Sequence, residues 1–274
     1  MREKLVRDVQ KKILEIMKYI DYLCRTNNIE YYIMGGTALG AVRHGGFIPW
    51  DDDLDIFMTP HQYEQFKRVF EKQKSEQFVI QEWRTDLQYL EYAKVRMNGT
   101  TFIEESFKDR PAMHHGIYVD IMILHKVSKN GLLQRLVYLE SKFVTLYGLS
   151  QRNWRPRTKA QSVCLRVLRV LPCKLITRIA YSHIYHYDSR TKNYCYCYWI
   201  TRARFRQGLF DASFFANEVD IPFEDTLLMG SDKIKEYLEC RYGDYMRLPS
   251  EEERKSAVHA MIIDTEKDYS EYLG

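Results

Sequence analysis

The chain has 274 residues, of which 45% are hydrophobic, and this is enough apolar material for one large domain or for a core domain with an appendage. Its six cysteines form no CxxC pair, which argues against an ordinary zinc ribbon and against a disulfide-stapled secreted domain. The net charge is +4, but residues 131–206 alone carry +13 and the rest of the chain −9, so this basic block is expected to meet an anionic partner.

The first third of the chain is predicted to form a helix followed by two units, each a strand and then a helix. Apolar residues at spacings of three and four, from Leu5 to Leu23, indicate one long amphipathic helix that ends at Asn27 and Asn28. The elements predicted next are a strand at Tyr31–Met34, a helix from Ala38 to about His44 capped by Thr37, a strand at Asp53–Met58, and a helix that starts at Thr59-Pro60 and runs to about Phe70.

The rest of the chain is predicted to form further strands and then helices that are mainly basic. The predicted strands are Phe78–Trp83, Tyr89–Met97 and Ile117–Leu124, and the predicted helices lie near Leu132–Leu149, Lys159–Val170, Pro172–Tyr187 and after Asp188. A hairpin around Pro222, a helix over Ser231–Arg241 and a last helix opened by a capping box of Ser250 with Glu253 follow. The predicted fold is α+β, with a mixed sheet flanked by helices and an inserted basic helical region.

We expect three parts in this chain: a catalytic core at 1–130, a basic helical insertion or subdomain at 131–210, and a C-terminal hairpin with helices that pack on the core at 211–274. The N-terminus leads into an amphipathic pattern, and no stretch reaches the roughly 18 apolar residues that a membrane span needs. The expectation is therefore a cytoplasmic protein with neither a signal peptide nor a transmembrane helix.

A glycine pair and a D-x-D pattern stand close together in the first strand and helix units. Gly35 and Gly36 have no side chains, so phosphate oxygens can approach the backbone, and the helix that follows offers free N–H groups. Asp53 and Asp55 are two apart on a predicted strand, so their carboxylates should point to one face and share a metal ion. Hard oxygen ligands beside a phosphate favour Mg²⁺ or Mn²⁺.

Asp120 is a lone acid within an apolar predicted strand, and it is costly to bury unpaired. It would complete the metal coordination or accept a proton from an attacking hydroxyl. The alternatives are a structural ion pair for Asp120, an ordinary turn for the glycine pair and a solvated loop for the acids. The order of these features nevertheless resembles the signature of the nucleotidyltransferase superfamily: a strand, Gly-Gly, a helix, D-x-D and an acid in a later strand.

The continuous run from Gly35 to Ile56 resembles the hallmark of the LicD family, which is related to the fukutin family. Further similarities lie at Ala93-Lys94-Val95 with Gly99-Thr100, at Gly116–Ile121 and at Tyr242–Pro249, whereas residues 132–210 align with no family motif. The resemblance implies a phosphotransferase that moves a phospho-alcohol from a CDP-linked donor to a hydroxyl of a cell-surface glycan or its lipid-linked precursor. CDP-choline is the foremost donor, and lipopolysaccharide or teichoic acid biosynthesis is the expected setting.

The resemblance also implies roles for individual residues. Asp51, Asp53, Asp55 and Asp120 would hold the metal and carry the catalysis, and Arg43, His44 and Lys94, with Gly35, Gly36 and Thr37, would face the donor phosphates. Arg43 and His44 could instead simply end their helix, where cations are favourable, and Lys94 could lie on a solvated face.

Two rival functions share part of the pattern. A nucleotidyltransferase that uses an NTP donor on RNA or a small molecule would share the Gly-Gly and D-x-D core, but the run from Arg43 to Asp55 favours the LicD pattern, so no nucleic acid is expected. A binding module that has lost catalysis would not need the acids, so the presence of Asp53, Asp55 and Asp120 argues against this function. The interleaved apolar and basic residues of Val163–Ile184 predict either a peripheral site at the inner face of the cytoplasmic membrane or a packed helical subdomain with a solvated basic face.

Overall fold

The structure of the chain is a computed structural model, and it describes residues 2–82, 92–105, 107–151, 156, 158–171, 174–190, 192–250 and 260–273. The α+β prediction is confirmed. The helices are α1 (Arg2–Thr26), α2 (Gly35–His44), α3 (Pro60–Gln73), α4 (Gly131–Ser150), α5 (Lys159–Val170), α6 (Lys174–Arg190) and α7 (Ile234–Tyr242). The strands are β1 (Tyr32–Ile33), β2 (Asp55–Met58), β3 (Phe78–Gln81), β4 (Tyr92–Met97), β5 (Thr101–Glu104), β6 (Tyr118–Ile123), β7 (His125–Ser128), β8 (Tyr194–Cys197), β9 (Leu209–Asp211), β10 (Glu218–Phe223), β11 (Thr226–Ser231) and β12 (Ala260–Asp264).

The first of two compact units contains the described residues up to 82, from 92 to 123 and from 213 onward. Its centre is a five-stranded sheet in the order β1-β2-β6-β4-β3, in which β2 and β6 are parallel and the other neighbours antiparallel. The inner face of α1 is buried from Val9 to Leu23, as its apolar spacing predicts, although Leu5 is exposed and Val6 takes the inner position. Smaller pairs of β10 with β11 and of β5 with β12 complete the unit.

The second compact unit includes residues 124–212 and has its own core. Strands β7, β8 and β9 form an antiparallel sheet, and α4, α5 and α6 belong to the same unit. Val137, Val144, Ala180, Ile184 and Trp199 are among the residues of its hydrophobic cluster. None of the described helices of the chain combines the length and the apolar character needed to cross a bilayer.

Three sequence predictions about local structure are wrong. Thr37 does not cap α2, because the helix already starts at Gly35 and Met34 is its N-cap; instead Thr37 Oγ1 accepts the Asp55 N–H at 2.8 Å. Asp53 lies before β2 rather than in it. The helix expected after Asp188 is the continuation of α6 to Arg190 followed by β8, whose alternating Tyr and Cys residues suit a strand.

The end of the chain also departs from its prediction. The capping box of Ser250 with Glu253 extends into residues 251–259, which lie outside the described part of the chain. The described residues that follow form β12 and a short 3₁₀ helix at Tyr269–Tyr272. β12 pairs with β5, a long-range contact that no local sequence pattern announces.

The loop between α2 and β2 is fastened by two polar side chains. Gln10 on α1 donates from Nε2 to the carbonyl oxygens of Ile48, at 3.1 Å, and Asp51, at 2.8 Å. Glu224, at the β10–β11 turn, accepts the Phe47 N–H at 3.1 Å and pairs with both terminal guanidinium nitrogens of Arg7 at 2.9 and 2.6 Å. The backbone that leads into the acids is therefore held from two directions.

Gly40→Ala should test how tightly this loop packs on α2. A Cβ at Gly40 would collide with the carbonyl oxygen of Gly46 and approach the Ile48 nitrogen to 3.1 Å, and both are backbone atoms that cannot rotate away. We expect a loss of about 2 kcal/mol in the free energy of unfolding, measured by urea denaturation. Gly131→Ala, at a helical position with no heavy atom within 4 Å of the added Cβ, is the matched control and should be neutral or stabilising. Equal effects of the two changes would contradict the packing argument.

Candidate active site

Two acids and a lysine form a row across the middle of the five-stranded sheet. Asp55, the first residue of β2, is directly opposite Asp120 in β6, and Asp120 is opposite Lys94 in β4. Residues in register project to the same face of a sheet, so the three side chains lie side by side. The sheet register therefore brings together three residues that the sequence places 65 positions apart at most.

Lys94 is buried, with only 1% of the residue exposed, so the alternative of a solvated face is wrong. Its Nζ lies 2.9 Å from Asp120 Oδ1 and 3.8 Å from Glu104 Oε2. The same ammonium lies 3.1 Å from the centroid of the Tyr118 ring, a cation–π arrangement. The positive charge of Lys94 thus offsets the cost of burying the Asp120 carboxylate. Asp120 forms the ion pair that was the alternative to a catalytic role, and its partner is a lysine.

Asp51 and Asp53 add their charges to this row from the loop before β2. Burial raises the pKa of Asp55 well above its ordinary value, and the charges of Asp53, Asp120 and Asp51 raise it further, whereas Lys94 lowers it. Burial also raises the pKa of Asp120, against the lowering effect of Lys94. Burial is therefore the largest cause of the raised pKa of both acids, and the charges of the three other predicted acids add to it at Asp55.

The two glycines make room for these carboxylates. Gly35 has φ +55°, in the left-handed region that favours glycine, and a Cβ there would lie 3.4 Å from Asp55 Oδ2. A Cβ at Gly36 would lie only 2.8 Å from Asp51 Oδ2. The missing side chains thus allow the acids to reach the first turn of α2, the helix end whose N–H groups attract negative charge.

Arg43 and His44 lie at the other end of α2, about 12 Å along the helix axis from Gly35 at 1.5 Å per residue. The Arg43 guanidinium donates to the carbonyl oxygens of Tyr245, at 3.1 Å, and Arg247, at 3.4 Å, and so fastens the segment after α7. His44 meets the ring of Trp50 edge-on, and burial, followed by the Arg43 charge, lowers its pKa. These two residues thus belong to the C-terminal end of α2, whereas Gly35 and Gly36 begin the helix beside Asp55 and Asp51.

Two tyrosines near the acids were not identified from the sequence. Tyr237 on α7 accepts the Gly35 N–H on its hydroxyl oxygen at 3.0 Å. The Tyr242 hydroxyl lies 3.7 Å from where a Cβ of Gly35 would stand, and its pKa is raised by burial and by the charges of Asp55 and Asp51. The segment Tyr242–Pro249 carries part of the family resemblance, and this resemblance could have identified Tyr242 as a site residue.

The donor set at this site suits a hard divalent cation in its chemistry. Within the described ranges, no three His, Cys, Asp or Glu side chains are already arranged to hold a metal ion. The carboxylates of Asp51, Asp53, Asp55 and Asp120 are nevertheless the oxygen ligands that Mg²⁺ and Mn²⁺ prefer, and a cation would relieve the repulsion that raises the pKa of Asp55.

Comparison with known proteins is consistent with the geometry. Residues 28–145 match the family described as LicD/FKTN/FKRP, nucleotidyltransferase domain. The lipopolysaccharide cholinephosphotransferase LicD of Haemophilus influenzae is 26% identical over 261 residues, which cover 93% of this chain and 96% of that protein. The ribitol 5-phosphate transferase FKRP of human and of mouse is 37% identical over 46 residues, 17% of this chain and 9% of that protein.

Proposed function

Because residues 28–145 carry the nucleotidyltransferase domain of the LicD/FKTN/FKRP family, we propose that this chain transfers a phospho-alcohol, phosphocholine foremost, from a CDP-linked donor to a hydroxyl of a cell-surface glycan or its lipid-linked precursor. The predicted family and enzyme class, a LicD-type phosphotransferase, are confirmed. The observation that carries the finer proposal is the approach of Asp51 and Asp55 to the Gly-Gly turn, with the charges of Asp53 and Asp120 acting on Asp55, inside the matched domain.

The proposed reaction breaks the phosphoanhydride bond of the donor pyrophosphate and forms a phosphoester bond to the acceptor. The acceptor oxygen forms a bond to the distal phosphorus of the donor, and the bond from that phosphorus to the CMP oxygen breaks. The proton of the acceptor hydroxyl passes to the carboxylate of Asp51 or Asp120. CMP leaves with the electron pair of the broken bond, so charges and atoms balance without any further reactant.

We propose that Asp53 and Asp55, with Asp51 and Asp120, hold Mg²⁺ or Mn²⁺, which when bound would neutralise charge on the donor pyrophosphate. Lys94 fixes the carboxylate of Asp120 through the 2.9 Å contact and adds a positive charge near the phosphates. The N–H groups in the first turn of α2, beside Gly36 and Thr37, would bind a phosphate oxygen. Arg43 and His44 would face the donor phosphates from the C-terminal end of α2, and Arg43 also holds the segment after α7.

Calorimetric titration tests this proposal. CDP-choline, CDP-glycerol, CDP-ribitol, CTP and ATP are each titrated into the chain with Mg²⁺ and again with EDTA. The expected result is tight, Mg²⁺-dependent binding of one CDP-alcohol, CDP-choline foremost, and loss of that binding in the Asp53→Ala/Asp55→Ala variant. Preference for CTP or ATP would overturn the proposal in favour of an NTP-dependent nucleotidyltransferase, and metal-independent binding would remove the cation from it.

A further inference from the structure

The outer face of the α5–α6 segment, defined here as the described residues 158–171 and 174–187, is apolar although it faces solvent. Val170 is 85% exposed and Leu175 65% exposed. The other exposed aliphatic residues of this face are Val163, Val167, Leu171, Ile176 and Ile179. Scattered exposed aliphatics are ordinary, but seven within 17 consecutive residues are a local concentration of the kind that interaction surfaces show.

These residues are not the inner face of the helices. Leu165 is the buried residue of α5, and Ala180 and Ile184 of α6 belong to the core of their own unit. Val163, Val167 and Val170 recur at the spacing of one helical face, away from Leu165. Helices that pack on a core usually turn a polar face to water, so a second apolar face needs another explanation.

The charged side chains that the segment itself contributes are all basic, and the nearby acid Glu140 of α4 is paired with His183 at 2.7 Å. Arg166, Lys174 and Arg178 are exposed, and Arg169 adds a fourth cation. Residues 156–187 contain no Asp or Glu. Long basic side chains beside aliphatic ones can extend to the level of lipid phosphates while the aliphatic groups enter the region below.

A small cavity lies between α5 and the end of α4. Its volume is about 110 Å³, and Arg166, Arg169 and Ser162 of α5 are among its lining residues, with Leu149 and Ser150 at the end of α4. Arg169 donates from Nε to the Ser150 carbonyl oxygen at 2.7 Å, which holds this guanidinium in place. Leu165 and Pro156 also line the cavity, and its two arginines favour an anionic group over an uncharged one.

We propose that the outer face of the α5–α6 segment docks on a bilayer that contains anionic phospholipid, with both helices lying in the headgroup layer. A second copy of the chain would fit poorly, because a symmetric contact would oppose the cations of one face to those of the other. An anionic bilayer satisfies both the aliphatic and the basic residues, because its acyl chains accept the first and its phosphates attract the second. This proposal is independent of the proposed transfer reaction, since it concerns only where the chain is held.

Vesicle flotation tests the docking surface without any donor or acceptor. The full chain is mixed with phosphatidylethanolamine vesicles that either contain or lack phosphatidylglycerol, at low and high salt. We expect flotation with the phosphatidylglycerol vesicles, weaker at high salt, and a drop of about tenfold or more in the bound fraction for Val167→Asp/Ile176→Asp. Arg166→Gln/Lys174→Gln should lower binding at low salt by a similar factor.

The control places the same change on exposed aliphatics elsewhere. Val219→Asp/Leu227→Asp, on the β10–β11 hairpin, should float as the unchanged chain does, and circular dichroism should show the same helix content for all variants. Absence of flotation with phosphatidylglycerol, equal flotation without it, or full binding by the α5–α6 variants would overturn the proposal. Light scattering that shows a dimer abolished by Val167→Asp/Ile176→Asp would instead assign the face to a second copy.

Discussion

Asp55→Asn is expected to abolish phosphotransfer while making the chain more stable. The substitution keeps the size of the side chain and the backbone bond from the Asp55 N–H to Thr37 Oγ1, but it removes a buried charge that is repelled by Asp53, Asp120 and Asp51. We expect turnover to fall by about a thousandfold, since a proposed cation ligand and its charge are lost together. The free energy of unfolding should rise by about 1–2 kcal/mol.

Two measurements on the same preparation separate these effects. CMP release is followed with the CDP-alcohol that calorimetry selects and a lipid-linked glycan fraction, and the melting temperature is read by circular dichroism. Asp225→Asn, at an exposed acid on the β10–β11 turn that pairs with Lys18, is the control and should keep full turnover. Retained turnover in Asp55→Asn, or lost turnover with a lower melting temperature, would contradict the proposed role of Asp55.

The elements that the sequence predicted best are those whose signals are local. α5 has the predicted bounds Lys159–Val170, with Thr158 Oγ1 accepting the Gln161 N–H, and α3 begins at Thr59-Pro60 with Thr59 as its cap. The hairpin around Pro222 is confirmed as β10 and β11. In each case the periodicity, a cap or a turn lies within a few residues of the element it specifies.

The misplaced details depend on contacts between distant parts of the chain. Thr37 looks like a cap in sequence, but the buried Asp55 N–H is its partner in the fold. Arg43 remains a predicted phosphate ligand, and the contact of its guanidinium with the Tyr245 and Arg247 carbonyls some 200 residues later could not be predicted from the sequence. A single sequence shows which residues can make an interaction, but the partner is fixed only when the sheet and α7 come together.

The candidate site shows the same division. The Gly-Gly turn and the acidic run were readable because they are contiguous, and Asp120 was readable as an acid in an apolar strand. The pairing of Lys94 with Asp120 follows from the register of β4 on β6, which no local pattern gives. Tyr237 and Tyr242 reach Gly35 from the C-terminal part of the unit and were missed for that reason.

Lys94→Met is expected to cause the largest loss of stability among single changes at the site. Methionine preserves the length and apolar body of the side chain but leaves the Asp120 carboxylate buried without the ammonium at 2.9 Å. Breaking a buried pair by removing one partner costs about 3–5 kcal/mol, which urea denaturation would measure as a lower free energy of unfolding. Adding Asp120→Asn should recover part of the loss, because the uncompensated charge is then also gone.

The control for Lys94→Met differs from it in burial rather than in distance. Lys108 Nζ lies 3.1 Å from Glu105 Oε1, close to the 2.9 Å of the buried pair. The side chains of Lys108 and Glu105 are, however, both nearly half exposed. Lys108→Met should therefore cost less than about 1 kcal/mol, since water replaces the lost partner. Similar losses in the free energy of unfolding for the two variants would mean that water reaches Asp120 in the native state. The Asp120 carboxylate would then stay charged without the Lys94 ammonium.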